Sequence, residues 1–248
     1  MMEVHRWRGA PELRAMRAQV RKLGQFAYFD RQLDGPDWRH STVLDFGGTD
    51  GNLLWNPDCV IQHKNYYCLD VVRDAVDEGR RTFPRGHWTH YDRYNCSFNP
   101  LGDPHQPIPD LGTDFDIILA YSVFTHTTRE EMHDLVGQLR ARLKPDGVLA
   151  FTFEDPRVTL AARLEVYSAK NAADLLQRAS RAEWCALVDG SELYVDDDGE
   201  WADDAERCMT YDTYYKAERM QREFPEAVIH EPVNGEVQHC CVMRKQGR

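Results

Sequence analysis

Residues 43–54 read VLDFGGTDGNLL, an apolar run that ends in an aspartate and runs into three glycines within five residues. Val43 and Leu44 have the character of a buried strand, and Gly47, Gly48 and Gly51 make a loop whose backbone can approach a ligand closely or simply turn tightly. In an open α/β sheet, ligands sit at the carboxyl ends of the strands where the strand order reverses, and a glycine loop after a first strand occupies that place. Two loop types are excluded. The dinucleotide fingerprint G-x-G-x-x-G is absent, since the loop reads D-F-G-G-T-D-G, and the closing G-K-S/T of a phosphate loop is missing. The ligand this loop suits carries few phosphates or none.

Outward from this stretch, strands and helices alternate. Residues 65–72 (NYYCLDVV) read as a second strand, 74–83 as a helix, and 87–92 (HWTHYD) as a third strand. Residues 115–122 (FDIILAYS) are the clearest buried strand. Residues 129–143 put Met132, Leu135, Val136, Leu139 and Leu143 on one helical face behind the N-cap candidates Thr127 and Thr128. KPDG then breaks the helix, and Gly147 to Glu154 form another strand. A helical stretch over 158–181 and an acidic loop over 195–206 follow. Two final apolar strands flank Asn234-Gly235, a hairpin signal. Upstream, Leu13, Met16, Val20 and Leu23 suggest an N-terminal helix. The Pro- and Gly-rich residues 95–113 should run over the surface. The alternation implies a parallel sheet.

Asp70 ends the second strand, 25 residues after Asp45, where a carboxylate can accept hydrogen bonds from both hydroxyls of a ribose; it can also serve as a helix N-cap. Asp45-Phe46-Gly47 with Gly51, then Asp70, then HYDRYN (90–95), FDIILAYSVFTH (115–126), LKPDGVLAFTF (143–153) and the closing hairpin resemble the class I S-adenosylmethionine-dependent methyltransferases. The resemblance spans roughly residues 40–155 and 207–245. It implies a Rossmann-like, doubly wound, mostly parallel seven-stranded sheet with a C-terminal antiparallel hairpin. It also implies S-adenosyl-L-methionine as cofactor and S-adenosyl-L-homocysteine as product. On this resemblance Asp45 or the backbone of Gly47 and Gly48 would hold the methionine part, with Gly51 completing the loop. Asp70 would hold the ribose, Asp92 with Arg93 or Val71 the adenine, and Tyr121 and Ser122 would line the same pocket. The loop departs from the commoner pattern in carrying Gly48, Thr49 and Asp50, and Asp50 adds a carboxylate near the cofactor's amino group.

For the acceptor side, His126 at the end of SVFTH is the candidate base, against a reading as a helix cap. Glu154, at the end of the fifth strand, is a candidate base or orienting group, as is its neighbour Asp155. Tyr211 belongs to an aromatic group with Tyr194, Tyr214, Tyr215, Trp184 and Trp201 that would either wall the acceptor site or pack the insertion on the sheet. No catalytic metal constellation is evident. The expected organisation is a helical cap over 1–40, the cofactor-binding core over 41–156, a helical and acidic insertion covering the acceptor over 157–226, and the hairpin over 227–248. The expected activity is methyl transfer to a small molecule, in specialised biosynthesis. Two alternatives stand beside it: attack on the aminopropyl carbon with release of methylthioadenosine, and a non-catalytic nucleotide-binding module.

Composition narrows the partners. The 248-residue chain carries 42% hydrophobic and 29% charged residues, ordinary for a folded enzyme. A formal charge of −11 disfavours nucleic acid, which needs clustered Lys and Arg; the basic run Arg14 to Lys22 reads as a solvated helix face. The seven cysteines contain no C-x-x-C pair, so neither a zinc site nor a redox dithiol is indicated. No apolar signal core or membrane span is visible, so the expected location is cytoplasmic, as a monomer or homodimer.

Overall fold

The computed structural model describes residues 24–163, 183–188, 192–195, 211–233 and 235–247. The N-terminal helix expected around Leu13 to Leu23, the basic run Arg14 to Lys22, most of the acidic run, Trp201, Cys208 and Asn234 lie outside them. Five parallel strands form the centre: β1 (Val43–Phe46), β2 (Tyr66–Asp70), β3 (His87–His90), β4 (Phe115–Ala120) and β5 (Leu143–Glu154). Their order is β3-β2-β1-β4-β5, so the chain reverses direction across the sheet between β1 and β4. That switch point opens a crevice beside the glycine loop.

The remaining strands are β6 (Trp184–Val188), β7 (Glu192–Val195), β8 (Tyr211–Tyr215), β9 (Val228–His230) and β10 (Gln238–Arg244). β10 runs antiparallel to β5 along seven register pairs, from Gln238↔Glu154 to Arg244↔Val148, and β9 lies beyond it. The expected closing pair is therefore present, but residues 231–237 connect it, so Asn234-Gly235 is not a two-residue turn. β8 meets β5 at Glu154↔Tyr214, and β6 and β7 pair beyond it, making ten strands among the described residues. Seven of these match the expected sheet. The other three come from the insertion, read from sequence as helical and acidic; its described helices are Pro156–Arg163 and Ala217–Glu223, and residues 164–181 of the expected helical stretch lie outside the described residues.

Side-chain alternation divides the sheet into two apolar layers. Leu44, Phe46, Ile118, Leu149 and Phe151 face one side, against α3 (Arg129–Ala141) and α5 (Ala217–Glu223). Val43, Tyr66, Ile117 and Val148 face the other, against α1 (Gln25–Gln32) and α2 (Arg73–Thr82). The helix Pro156–Arg163 is α4. The buried face of α3 consists of Met132, Leu135, Val136 and Leu139, four of the five expected; Leu143 instead begins β5. Thr128 caps α3. Its side chain accepts the Glu131 N–H at 3.1 Å, and its own N–H donates to Glu131 Oε2 at 2.8 Å, a reciprocal cap of the kind that contributes about 1 kcal/mol. This cap fixes the turn that carries His126. Among the described residues no helix is long and apolar enough to cross a membrane.

Candidate active site

At the carboxyl ends of β1, β2 and β4 lies a cavity of about 480 Å³. Its cofactor-side wall begins where β1 ends. Phe46 lines it, and Gly47 follows with φ +75°, its N–H donating to the Leu69 carbonyl at 2.8 Å. A Cβ at Gly47 would lie 2.4 Å from Val123 Cγ2, so only glycine lets the two chain ends approach. Thr49 sits at φ +52°, a genuine outlier for a β-branched residue, with a typical cost of about 1–3 kcal/mol. It is held by its N–H, which donates to Asp70 Oδ2 at 2.8 Å. Its hydroxyl Oγ1 is buried with no partner, and the residue lines the cavity.

Asp70 lines the same wall and is nearly fully buried. Its Oδ1 accepts the Val72 N–H at 2.7 Å. Each oxygen therefore takes one backbone donor and keeps lone-pair capacity for ligand hydroxyls. Burial pushes its carboxyl up to about 6, against the pull of the Val72 and Thr49 N–H groups. Asp50 is buried and lines the cavity as well. Arg93 lines it with its guanidinium engaged by the Gln106 carbonyl at 3.2 Å and by Asp134 at 2.9 Å.

At the other end of the cavity, Ser122 follows β4 at φ +55°, its N–H donating to Thr152 Oγ1 at 2.7 Å. The turn Phe124–His126 then carries His126 to the cavity wall. His126 Nδ1 stands 3.3 Å from Asp212 Oδ1, and the imidazole is 22% exposed. Asp212 comes from β8, which is tied to this turn by Thr213 Oγ1 donating to the Thr127 carbonyl at 2.9 Å. Gln238, the first residue of β10, closes the floor: its Nε2 donates to Ser122 Oγ at 3.0 Å and to Glu154 Oε1 at 3.0 Å. Tyr121 lines the cavity, its ring edge-on to Tyr28 at 5.4 Å; burial and the charges of Glu236 and Glu154 push its hydroxyl up to about 12.

Of the residues singled out in the sequence, Gly47, Asp70, Val71, Arg93, Tyr121, Ser122 and His126 line this cavity together. Five others do not, each for a visible reason. Asp45 shares the face of Val43, and there its Oδ2 accepts from the Tyr66 hydroxyl at 2.7 Å beneath the loop. Burial raises the Asp45 carboxyl to about 7, the Tyr66 bond opposing and the Asp70 charge adding to the shift. Gly48 packs on that carboxyl, where a Cβ would lie 2.4 Å from Asp45 Cγ. Gly51 turns toward Trp88 and Phe83. Asp92 is exposed and accepts from Asn99 Nδ2 at 3.1 Å, while its neighbours Tyr91 and Arg93 point inward. Glu154 is buried behind Gln238 and does not line the cavity. Tyr211 begins β8; its side chain, like that of Tyr194, is outside the described residues. Among the other expected aromatics, Trp184, Tyr214 and Tyr215 are buried in the sheet extension and do not line the cavity.

Several residues of the site had no local signal in the sequence. Asp212, behind His126, is 86 residues from it, and the lining residues Gln238 and Asn95 reach the cavity only through strand pairing and loop closure. Among the described residues no cluster of three or more His, Cys, Asp or Glu could hold a metal ion.

A parallel sheet with this order, a glycine loop after β1 and an acid at the end of β2 define a Rossmann-like nucleoside-binding class. Residues 44–149 match the family model described as a methyltransferase domain, and the fold is the Rossmann-like one of S-adenosylmethionine-dependent methyltransferases. No match was found among curated protein sequences. Among solved structures, the glycopeptide N-methyltransferase MtfA complexed with sinefungin superposes with a TM-score of 0.53 at 11% identity, over 90% of this chain and 93% of that one. The PH0226 protein from Pyrococcus horikoshii OT3 gives 0.56 at 12% identity, over 99% and 94%. The pyocyanin biosynthetic protein PhzM gives 0.54 at 14% identity, over 98% of this chain and 60% of that one. At these identities the likeness concerns the fold.

Proposed function

We propose that the protein is an S-adenosylmethionine-dependent methyltransferase acting on a small-molecule acceptor, with His126 as the group that takes the acceptor's proton. The observation that carries this reading is that Asp70 and His126 line one cavity, with Asp212 standing beside His126. The residues present suit the cofactor. Asp70 has free lone pairs for two hydroxyls, Thr49 offers an unpaired buried hydroxyl, and Leu69, Val71 and Leu135 supply an apolar surface for a base. When bound, S-adenosylmethionine supplies an electrophilic methyl group and needs no phosphate site, in keeping with a loop that lacks the lysine of nucleotide triphosphate sites.

The chain's own contribution is alignment and proton handling. Phe46 and Val123 exclude water, and Ser122 with Gln238 forms a fixed polar floor. Asp212 beside Nδ1 orients the imidazole and stabilises the imidazolium that forms when it takes a proton. The insertion after α4 supports this role through β8, which carries Asp212. The test is a calorimetric titration with S-adenosylmethionine, followed by analysis of the nucleoside released in the presence of candidate acceptors. Micromolar binding with S-adenosylhomocysteine as the product is expected. Methylthioadenosine as the product would replace methyl transfer by attack at the aminopropyl carbon, and absence of binding would remove the assignment.

A further inference from the structure

The cavity of about 480 Å³ is partly open and lies toward the small end of the ~300–1,000 Å³ typical of single small-ligand sites. A cavity of that size suits one ligand, so with the cofactor beside Asp70 and Gly47 the acceptor meets the open side. An acceptor reaching His126 has to extend past the rim.

That rim is apolar and rigidly built. Phe98 lines the cavity yet is 44% exposed, its ring edge-on to the His126 imidazole at 5.2 Å, and Leu101, three residues on, is 91% exposed. Asn95 holds the loop that carries them. Its Oδ1 accepts the N–H groups of Ser97 and Phe98, both at 3.1 Å, and its Nδ2 donates to the His126 carbonyl at 2.9 Å. Asn95 and Asn99 exchange backbone hydrogen bonds at 3.1 and 2.9 Å, and Asn99 Nδ2 donates to the Arg93 carbonyl at 3.0 Å. The backbone of Phe98 is thereby fixed to the turn of His126, and the loop keeps two large apolar side chains at the surface against the tendency to bury them.

We propose that Phe98 and Leu101 form a docking strip for the acceptor, and that the acceptor extends beyond the cavity, with its nucleophilic atom at one end and an apolar body lying along residues 98–101. Phe98 belongs to the cavity wall, and this is what commits the strip to the acceptor. This inference rests on the methyltransferase reading above.

The experiment loads the full chain with S-adenosylhomocysteine and titrates it with two phenols, p-cresol and 4-phenylphenol, by calorimetry. The wild type is expected to favour 4-phenylphenol by at least about tenfold, the gain from covering one added ring. Leu101→Ser should reduce that preference to about threefold, and Phe98→Ala should remove it. Leu101→Ser should leave S-adenosylhomocysteine affinity and the melting temperature as they are in the wild type. Equal affinity of the wild type for the two phenols, no binding of either phenol to the loaded chain, or a preference unchanged in both variants would overturn the strip. A dimer in sedimentation that dissociates on Leu101→Ser would also overturn it, because a second copy would then be the occupant. Failure of the wild type to bind S-adenosylhomocysteine would instead remove the underlying reading, so the two failures are distinguishable.

Discussion

The cofactor wall and the acceptor wall of the cavity are built differently. The first comes from consecutive segments: Phe46 to Asp50 and Leu69 to Val72 are the ends of two adjacent parallel strands, held together by backbone hydrogen bonds such as Gly47 N–H to the Leu69 carbonyl. The second is assembled from four distant parts of the chain: the loop at 95–103, the turn at 122–127, β8 and the start of β10. Local backbone geometry makes the first wall, whereas the second depends on side chains meeting across the sheet. Substitutions on the first should therefore act on cofactor affinity and leave chemistry alone, while substitutions on the second should do the reverse.

The largest expected effect is on the second wall. His126→Ala should lower turnover by about 100-fold, the usual scale for losing a positioned general base, with cofactor affinity changed less than threefold. A parallel fall in both, measured by steady-state kinetics and calorimetry, would merge the two walls into one functional unit. Next comes Asp70→Ala on the first wall, which should weaken S-adenosylmethionine binding at least about tenfold by removing charge-assisted hydrogen bonds; unchanged affinity would sink the ribose assignment. The same carboxylate gives a pH dependence. Because its pKa stands near 6, affinity should be steady above pH 7 and decline as the pH falls through 6, where the carboxylate gains a proton.

Asp212→Asn should reduce turnover by about tenfold with cofactor affinity unchanged, since the group that orients His126 keeps its shape but not its carboxylate. The smallest effect separates Asp45 from the cavity altogether. Its carboxyl is raised by burial to about 7. The folded state therefore binds that proton more tightly than the unfolded chain, and wild-type stability should decline as pH rises from about 4 through 7. Asp45→Asn should match the wild type in melting temperature below about pH 4 and exceed it by roughly 5 °C or more at pH 8. Its cofactor affinity should stay within about threefold. A tenfold loss in calorimetry would return Asp45 to the binding wall.

What could be read ahead of the structure follows the same division. The alternation of elements, the glycine loop, Asp70 and the capped helix after Thr128 are local patterns, and the strand order and Asp70's place in the cavity agree with them. The placement of Asp45 away from the cavity is also local in origin. A strand sends neighbouring residues to opposite faces, and the motif does not say which face carries the ligand. The strands β6 to β8 were obscured because WCALV and YDTYY lie within a stretch dominated by helix-forming and acidic residues.

By itself the sequence determined the class of fold, the position of the ligand loop and the acid at the end of β2, because these depend on residue spacing within one or two elements. Only the tertiary structure decided that Asp212 stands by His126, that Gln238 screens Glu154 from the cavity, and that Asn95 binds an apolar rim to the turn of His126. The reason is physical. Spacing along a helix or strand fixes which side chains share a face, but contacts between residues far apart in the chain arise only when the sheet closes and brings its strand ends together.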